Sequence, residues 1–451
     1  MSKTVKLRKG LDIRLEGVAQ ERITTAPQAA AYAVQPIDFK GIIPKLLVKP
    51  DDAVQVGTPL FFDKNCPSMM FTSPVSGRVG EIVRGEKRKL LAVTVIPDAE
   101  QNYKQFDVAA IADLSAERIV ELLLESGLWP LLIRRPYGIV ASPEERPRDI
   151  FVSGFDSAPL AANLEFCLKG RTEELQAAVK VLAKLTSGKI YVGVGKEQSV
   201  FDSVSGIEVT RFVGKHPAGN VGVQIHHTRP ISKGDVVWTL DPQGLATIGH
   251  FFMTGKVDMT RVIALAGSEV FKPQYYKVIG GARLDSILPK SALTPQTESH
   301  DIRIINGNPL TGVKVAQDGY LNFYTNCVTV IPEGNDFEFM GWIAPRPNKF
   351  SVSRSYFSWL MPRRTYNLNT NLNGGVRAYV VTGLYDKYLP MDIYPMYLLK
   401  ACLAGDIDKM ENLGIYEVIE EDFALCEFVD PSKTEMQEVI RQGIDLMIKE
   451  N

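Results

Sequence analysis

Near residue 110 the apolar residues of this chain change period, and one fold layer cannot serve both patterns. Before that point, short runs such as "KLLV", "PLFF", "GRVGEIV" and "KLLAVTVI" are separated by "KPDDAVQVGT", "DKNCPS" and "SPVSG". Gly, Pro, Asp and Ser at that spacing predict short β-strands joined by tight turns. Beyond it, "LSAERIVELLLESG" puts Ile119, Leu122 and Leu123 on one helical face, with Ser115 as N-cap and Gly127 as the stop. "RDIFVSGFDS" predicts a strand running into a glycine loop. "TEELQAAVKVLAKLTSGK" predicts an amphipathic helix with Thr172 as cap and Gly188 after its end, and "KIYVGVGKE" a buried strand. Strand, helix, strand in that order predicts an α/β layer on a parallel sheet. "DPQGLATIGHFFMTGK" predicts a further helix, capped by Asp241 with Pro242 in its first turn and Gly255 beyond it.

Strand signals return between about 257 and 335 in "RVIALAGSEV", "YYKVIGG", "RIINGNPLTG" and "TNCVTVIPEG", with a short helical piece near "RLDSIL". From Gly341 onward, Pro-marked loops lead into helix-like "PMYLLKACLAGD", "DKMENLG" and "TEMQEVIRQGIDLMIKE". With 451 residues and ~150 per domain, three or four domains are expected. In the first of them, "VKPDDAVQVGTPL" and "SPVSGRV" resemble the paired turns of lipoyl- and biotin-carrying domains, where two half-sheets fold over each other. Lys64 stands roughly where such a domain presents its modified lysine. Asn65-Cys66-Pro67 follows it, however, and the spacing to "SPVSG" is long, so an unmodified surface lysine is expected.

Several function classes are disfavoured. Lys+Arg is 51 and Asp+Glu 52, so nothing points to nucleic acid. The basic N-terminus has no apolar core, which argues against a signal peptide. Apolar runs break within about a dozen residues, short of the roughly 20 a membrane-spanning helix needs. Five scattered cysteines form no Cys-x-x-Cys pair, and the adjacent His226-His227 reads as a strand end, so no metal site is expected.

Three stretches invite chemistry. "GVGK" at 193–196 lacks the phosphate-loop spacing, and Glu197 follows its lysine; it reads as a strand end. "HPAGNVGVQIHH" (216–227) has Gly219 and Gly222, which admit a flat ligand or a neighbouring strand, with His216 or His226 as hydrogen-bonding groups; it reads equally as a glycine-rich bend that only joins two layers. "LWPLLIRRPY" (128–137) combines Trp129, Arg134, Arg135 and Tyr137. That set suits a quinone head, a flavin edge or a protein partner, and equally a half-buried connector with solvated arginines.

In chain order, "FTSPVSGRVGEIVRGEKR", "SGLWPLLIRRPY", "HPAGNVGVQIH", "VVWTLDPQGLATIGHFFMTG" and "EEDFALCEFVDPSK", after an opening Lys9-Gly10-Leu11-Asp12, form a recognisable series. The chain resembles the A subunits of the bacterial Na+-translocating NADH:quinone oxidoreductase over nearly its whole length. Those subunits are similar to the C subunit of the Rnf complex and to the flavoprotein subunit of respiratory complex I. Where those relatives carry a glycine-rich flavin loop, this chain has Gly127, Leu128, Trp129 and Pro130; where they carry an acidic loop, it has Ser153 to Pro159, including Gly154 and Asp156. Of their Cys-x-x-Cys-x-x-x-Cys-Pro cluster motif it keeps Cys426 and Pro431, so Cys426 is expected to be a buried leftover thiol.

The resemblance implies a multidomain α/β and β fold. It comprises a barrel-sandwich, carrier-like domain at 1–100 and a degenerate Rossmann-like α/β domain at 101–256. A β-grasp-like domain follows at 257–340 and a helical C-terminal domain at 341–451. It implies a peripheral subunit on the cytoplasmic face of the bacterial inner membrane, docked on integral membrane subunits of a translocase. That complex oxidises NADH, reduces ubiquinone or menaquinone and exports Na+. No catalytic residue and no cofactor are expected in this subunit, with flavins, Fe–S centres and NADH held by others. Trp129, Arg134, Arg135, Tyr137, Gly154, Asp156, His216, Gly219 and His226 are the candidate quinone or partner contacts. A soluble flavin- or NAD-binding oxidoreductase and a lipoyl or biotinyl carrier component are the alternatives.

Overall fold

The computed structural model describes residues 3–334, 340, 341, 346, 348–379 and 383–450. Its middle is built on two apolar pentapeptides, Asp149–Ser153 and Ile190–Val194, buried on both faces as parallel strands between covering layers must be. They pair in parallel, Ile150 opposite Ile190 and Val152 opposite Val192. Seven strands make up this sheet, in the spatial order Lys3–Lys6, Glu208–Val213, Ile190–Val194, Asp149–Ser153, Val237–Leu240, Ile133–Arg135 and Ile139–Val140. The first five run parallel, and the last two form an antiparallel hairpin at one edge.

Helices Ala116–Ser126, Thr172–Leu182 and Pro242–Thr254 share one continuous core with the sheet residues Ile150, Val152 and Val192. Two have the expected ends. Ser115 Oγ accepts from Arg118 N and Gly127 closes the turn at φ 75°, while Asp241 accepts from Gly244 N and Gly255 closes at φ 67°. The third does not. Thr172 is its first helical residue, Arg171 sits at the N-cap without a side-chain bond, and the helix ends at Leu182, well before Gly188. The opposite sheet face, at Phe151 and Val237, packs on C-terminal helices through Leu398, Leu399, Phe423 and Ile440. Those helices are Pro395–Ala404, Ile407–Asn412, Glu420–Val429 and Met436–Glu450; the sequence reading predicts the others but not Glu420–Val429.

The first hundred residues do not stay together. Lys3–Lys6 joins the α/β sheet, and Gln20–Thr25 becomes an edge of a six-stranded sheet whose other strands lie between Thr260 and Pro332. What remains is a sandwich of two small sheets. One pairs Tyr32–Val34, Leu90–Pro97, Gly77–Arg84 and Ala53–Val54; the other pairs Pro44–Leu46, Pro59–Asp63 and Met70–Thr72. Leu60, Phe61, Phe71, Val79, Val93 and Val95 are buried in this region. A side chain at Gly77 would put its Cβ 1.9 Å from the Ile96 carbonyl, so the second turn requires glycine.

His226-His227 is not a strand end. Both lie in the helix Val221–Thr228. Gly222 also sits inside this helix, where a Cβ would meet both Asp422 carboxylate oxygens at 2.7 Å. Helix proximity, not a bend, explains that glycine.

Candidate functional site

Parallel α/β sheets place their ligand-binding loops at the carboxyl ends of the strands. Here the loop after Asp149–Ser153 and the loop after Glu208–Val213 meet in a polar knot. Ser157 Oγ lies 3.1 Å from His216 Nδ1 and accepts from Gly219 N at 2.8 Å. Gln224 Nε2 donates to Ser153 Oγ at 2.8 Å, and His216 N donates to Asp12 Oδ1 at 3.0 Å. A Cβ on Gly219 would fall 2.6 Å from Ser157 N, and one on Gly154 would meet the Phe201 ring at 3.0 Å. These glycines therefore admit chain against chain. His216 is 3% exposed, and burial pushes its pKa down to about 4, so the ring is neutral at pH 7 with Nε2 unpartnered. Asp156 is exposed at the rim of the knot, where partial loss of water around its carboxyl raises its pKa; Oδ1 accepts from Ala158 N at 2.8 Å.

The "LWPLLIRRPY" segment lines no open cleft at Trp129. Trp129 is fully buried, its Nε1 donates to the Ala141 carbonyl at 2.7 Å, and its ring stands edge-on to Trp238 at 5.3 Å. Leu128 and Pro130 are buried too, so bulk fills the space where flavoprotein relatives have a glycine-rich loop. A flavin does not fit there. Arg134 pairs with Glu145 at 3.0 Å and lies 5.1 Å from the Tyr137 ring centroid. Tyr137 holds φ 90°, costly for a bulky residue, and its carbonyl accepts from Arg441 at 2.8 Å. Arg135 reaches under the C-terminal helices, 2.6 Å from Glu421 Oε1 and 3.3 Å from Asp422 Oδ2.

That ion cluster joins the knot, since Asn220 Nδ2 donates to the Glu421 carbonyl at 3.2 Å. Arg135 is 2% exposed and the Asp422 side chain 0%, so neither can lose its partner cheaply. Glu421 keeps about a third of its side chain in water, yet its pKa rises to about 7. Removal from bulk water raises it most; Arg135 opposes, and the neighbouring Asp422 adds to the rise. Of the sequence-derived candidates, Gly154, Asp156, His216 and Gly219 thus come together, with Arg135 beside them. Trp129 lies apart in the core. His226 also lies apart, held by Glu417 at 2.6 Å and by Asp392 N at 3.0 Å.

Sequence reasoning missed one apolar cleft. It opens where the sandwich, the C-terminus of helix Ala116–Ser126 and the six-stranded sheet's loops meet, and is lined by Ala33, Asp38, Phe39, Phe71, Gly127 and Phe323. Its envelope, open mouth included, is ≈ 430 Å³, of which ≈ 20 Å³ admits the centre of a water molecule, room for about one. Asp38 Oδ2 accepts from Phe323 N at 2.8 Å, and burial raises its pKa to about 7. Only "QPIDFK", an acid among apolar residues, hinted at this in the sequence.

Cys426 is 1% exposed and burial raises its thiol pKa, as befits an inert residue. Among the described residues no three His, Cys, Asp or Glu side chains group to hold a metal. A lone thiolate donor does not suit an iron–sulfur cluster. Lys64 is exposed at the end of strand Pro59–Asp63.

Three stretches of the chain match models of one protein family. Residues 5–98 match the family model described as NqrA N-terminal barrel-sandwich hybrid domain. Residues 114–257 match NqrA second alpha/beta domain, and 262–317 match NQRA C-terminal domain. The chain is 36% identical over 450 residues to the A subunit of the Na(+)-translocating NADH-quinone reductase of Neisseria meningitidis serogroup B, covering 99% of this chain and 100% of that protein. It is 37% identical to the corresponding protein of Serratia proteamaculans, covering 97% and 98%. Among solved structures, a chain of NAD+-reducing [NiFe]-hydrogenase aligns with 50% of this chain and 47% of that one at TM-score 0.34 and 14% identity, too distant to carry an argument.

Proposed function

The chain belongs to the NqrA family, the A subunits of the Na+-translocating NADH-quinone reductase, and from that premise we propose that it is a cofactor-free docking subunit that also shapes quinone access. As one component of that complex it has other subunits as partners, and the integral membrane subunits are the ones it docks on, from the cytoplasmic face. Among the described residues no helix is long and apolar enough to cross a membrane, so Na+ passage belongs to the partners. In finer terms, the sandwich reads as lipoyl-carrier-like without a modified lysine. The seven-stranded layer reads as a degenerate Rossmann unit, and the six-stranded sheet as β-grasp-like.

The observation that carries the quinone role is the Asp38 cleft. Trp129 and Arg135 are engaged in the core, whereas this cleft offers aromatic walls and a carboxyl that keeps its proton to about pH 7. A protonated carboxyl can donate to a quinone carbonyl while the ring stacks on Phe39 or Phe323, once those rings turn aside. Asp38→Leu should weaken binding of a ubiquinone analogue to the full chain about tenfold, the worth of one hydrogen bond in an apolar site. Asp38→Asn, which keeps a donor, should retain most of it. Equal binding by the Leu variant moves the quinone elsewhere. A stoichiometric flavin or iron signal that survives gel filtration, or an adduct on Lys64 in peptide mass maps, overturns the cofactor-free reading.

A further inference from the structure

From Phe339 to Tyr385 the sequence contains no Asp or Glu but six basic residues: Arg346, Lys349, Arg354, Arg363, Arg364 and Arg377. Over the whole chain acids and bases balance, 52 against 51, so the stretch stands out. Within it the loop 351–360 is folded to present apolar side chains outward. Ser358 is buried, and its Oγ donates to the Ser351 carbonyl at 3.1 Å; Tyr356 N donates to Ser351 Oγ at 2.9 Å. That clamp leaves Phe357 56%, Trp359 52% and Leu360 58% exposed on one short turn. Arg354 lies 5.5 Å from the Trp359 ring centroid, and Arg363 is exposed just beyond. The base of the loop is fixed: Tyr366 is buried, its N donates to the Arg14 carbonyl at 2.9 Å, and Phe350 packs on it at 5.6 Å.

We infer that this turn is a membrane-surface contact, in which Phe357, Trp359 and Leu360 enter the headgroup region of an anionic bilayer and the surrounding arginines meet lipid phosphate. The inference rests on the reading that the subunit works against a membrane, and it names the surface that does so. Trp and Phe settle at the water–hydrocarbon boundary, and Arg gains from anionic headgroups within a Debye length. Within the stretch itself no acid opposes approach, and Glu16, whose N donates to the Tyr366 carbonyl, sits at the loop's base rather than on the turn. Exposed Trp and Arg also anchor protein interfaces, but apolar tips ringed by cations match an anionic lipid surface, and crosslinking in the assembled complex separates the two.

The full chain is sedimented with vesicles of phosphatidylcholine alone and of phosphatidylcholine mixed with phosphatidylglycerol. It should bind the anionic vesicles, release them at high salt, and ignore the neutral ones. Joint replacement Trp359→Ser and Leu360→Ser, or Arg354→Glu with Arg363→Glu, should each weaken binding at least about tenfold with the thermal transition unchanged. No binding to anionic vesicles, or equal binding by both variants, overturns the inference. In the assembled complex, a photoreactive side chain placed at position 360 should crosslink to phospholipid; crosslinks to another subunit instead make the turn a protein contact and overturn it too. Co-purification of the chain with the membrane subunits is scored separately. Its failure would count against the docking role itself, whatever the vesicles show.

Discussion

Two segments of this chain use nearly the same residues, "WPLLIRRPY" at 129–137 and "WLMPRRTY" at 359–366, and meet opposite fates. Trp129 is fully buried and Trp359 is 52% exposed. In each, one arginine lies over the segment's own tyrosine, Arg134 at 5.1 Å from Tyr137 and Arg364 at 5.6 Å from Tyr366. The other arginine separates them. Arg135 is buried against Glu421 and Asp422, while Arg363 is exposed in a stretch that contains no acid. An arginine enters a core only with carboxylates to meet it. Aromatic and guanidinium composition alone therefore does not mark a surface site; the supply of acids around it decides.

The largest effect expected from breaking this contrast is on Trp129. Trp129→Ala should cost about 4 kcal/mol in denaturant unfolding, from the cavity and the lost indole bond, whereas Trp359→Ala should stay within about 0.5 kcal/mol. Equal losses would mean the outer turn is packed as tightly as the inner one. Arg135→Met should cost about 3 kcal/mol because it strands buried Asp422, and Arg363→Met almost nothing. A smaller, pH-dependent loss belongs to the knot beside Arg135. His216 titrates near 4 in the folded chain against 6.5 as the unperturbed value. Its neutral form is favoured by folding, so its contribution is whole above pH 6.5 and is lost as pH falls toward 4. The full shift is worth about 3.5 kcal/mol at 1.4 per unit, of which about 2 is lost by pH 5. Melting curves of His216→Asn should lack that decline.

Glu421 should give the smallest signal, with the opposite sign. Its folded pKa of about 7 lies above the ordinary glutamate value of 4.5, so ionisation weakens the fold. Its own contribution is greatest below about pH 4.5 and declines toward pH 7. Partial exposure shrinks the effect, and Glu421→Gln should flatten it without changing behaviour at low pH. A variant that keeps the wild-type slope would assign it to Asp422 or Asp38 instead.

The site was only half legible. "SGFDSAP" and "HPAGN" both belong to the knot, because glycine loops after predicted strands mark the carboxyl edge of a sheet. Glu421 and Asp422 were visible only as part of "EEDFALCEF", where the cysteine carries the family motif and the acids make the ion pairs. The cleft at Asp38 joins residues near 33, 71, 127 and 323, and no window of sequence contains them together.

By itself the sequence determined what depends on neighbours a few positions apart. The short strands and turns before residue 110, the helix ends at Ser115, Gly127, Asp241 and Gly255, and the strands Asp149–Ser153 and Ile190–Val194 all follow from local periodicity and capping. Tertiary structure alone decided the rest. It sent Lys3–Lys6 and Gln20–Thr25 into different sheets, kept Gly222 inside a helix, and chose which of two Trp–Arg–Tyr segments to bury. Each of those outcomes turns on a partner far along the chain, as with Arg135 and Asp422, 287 positions apart. Local propensity carries no record of such a partner, and the cost of burying a charge is settled only when it arrives.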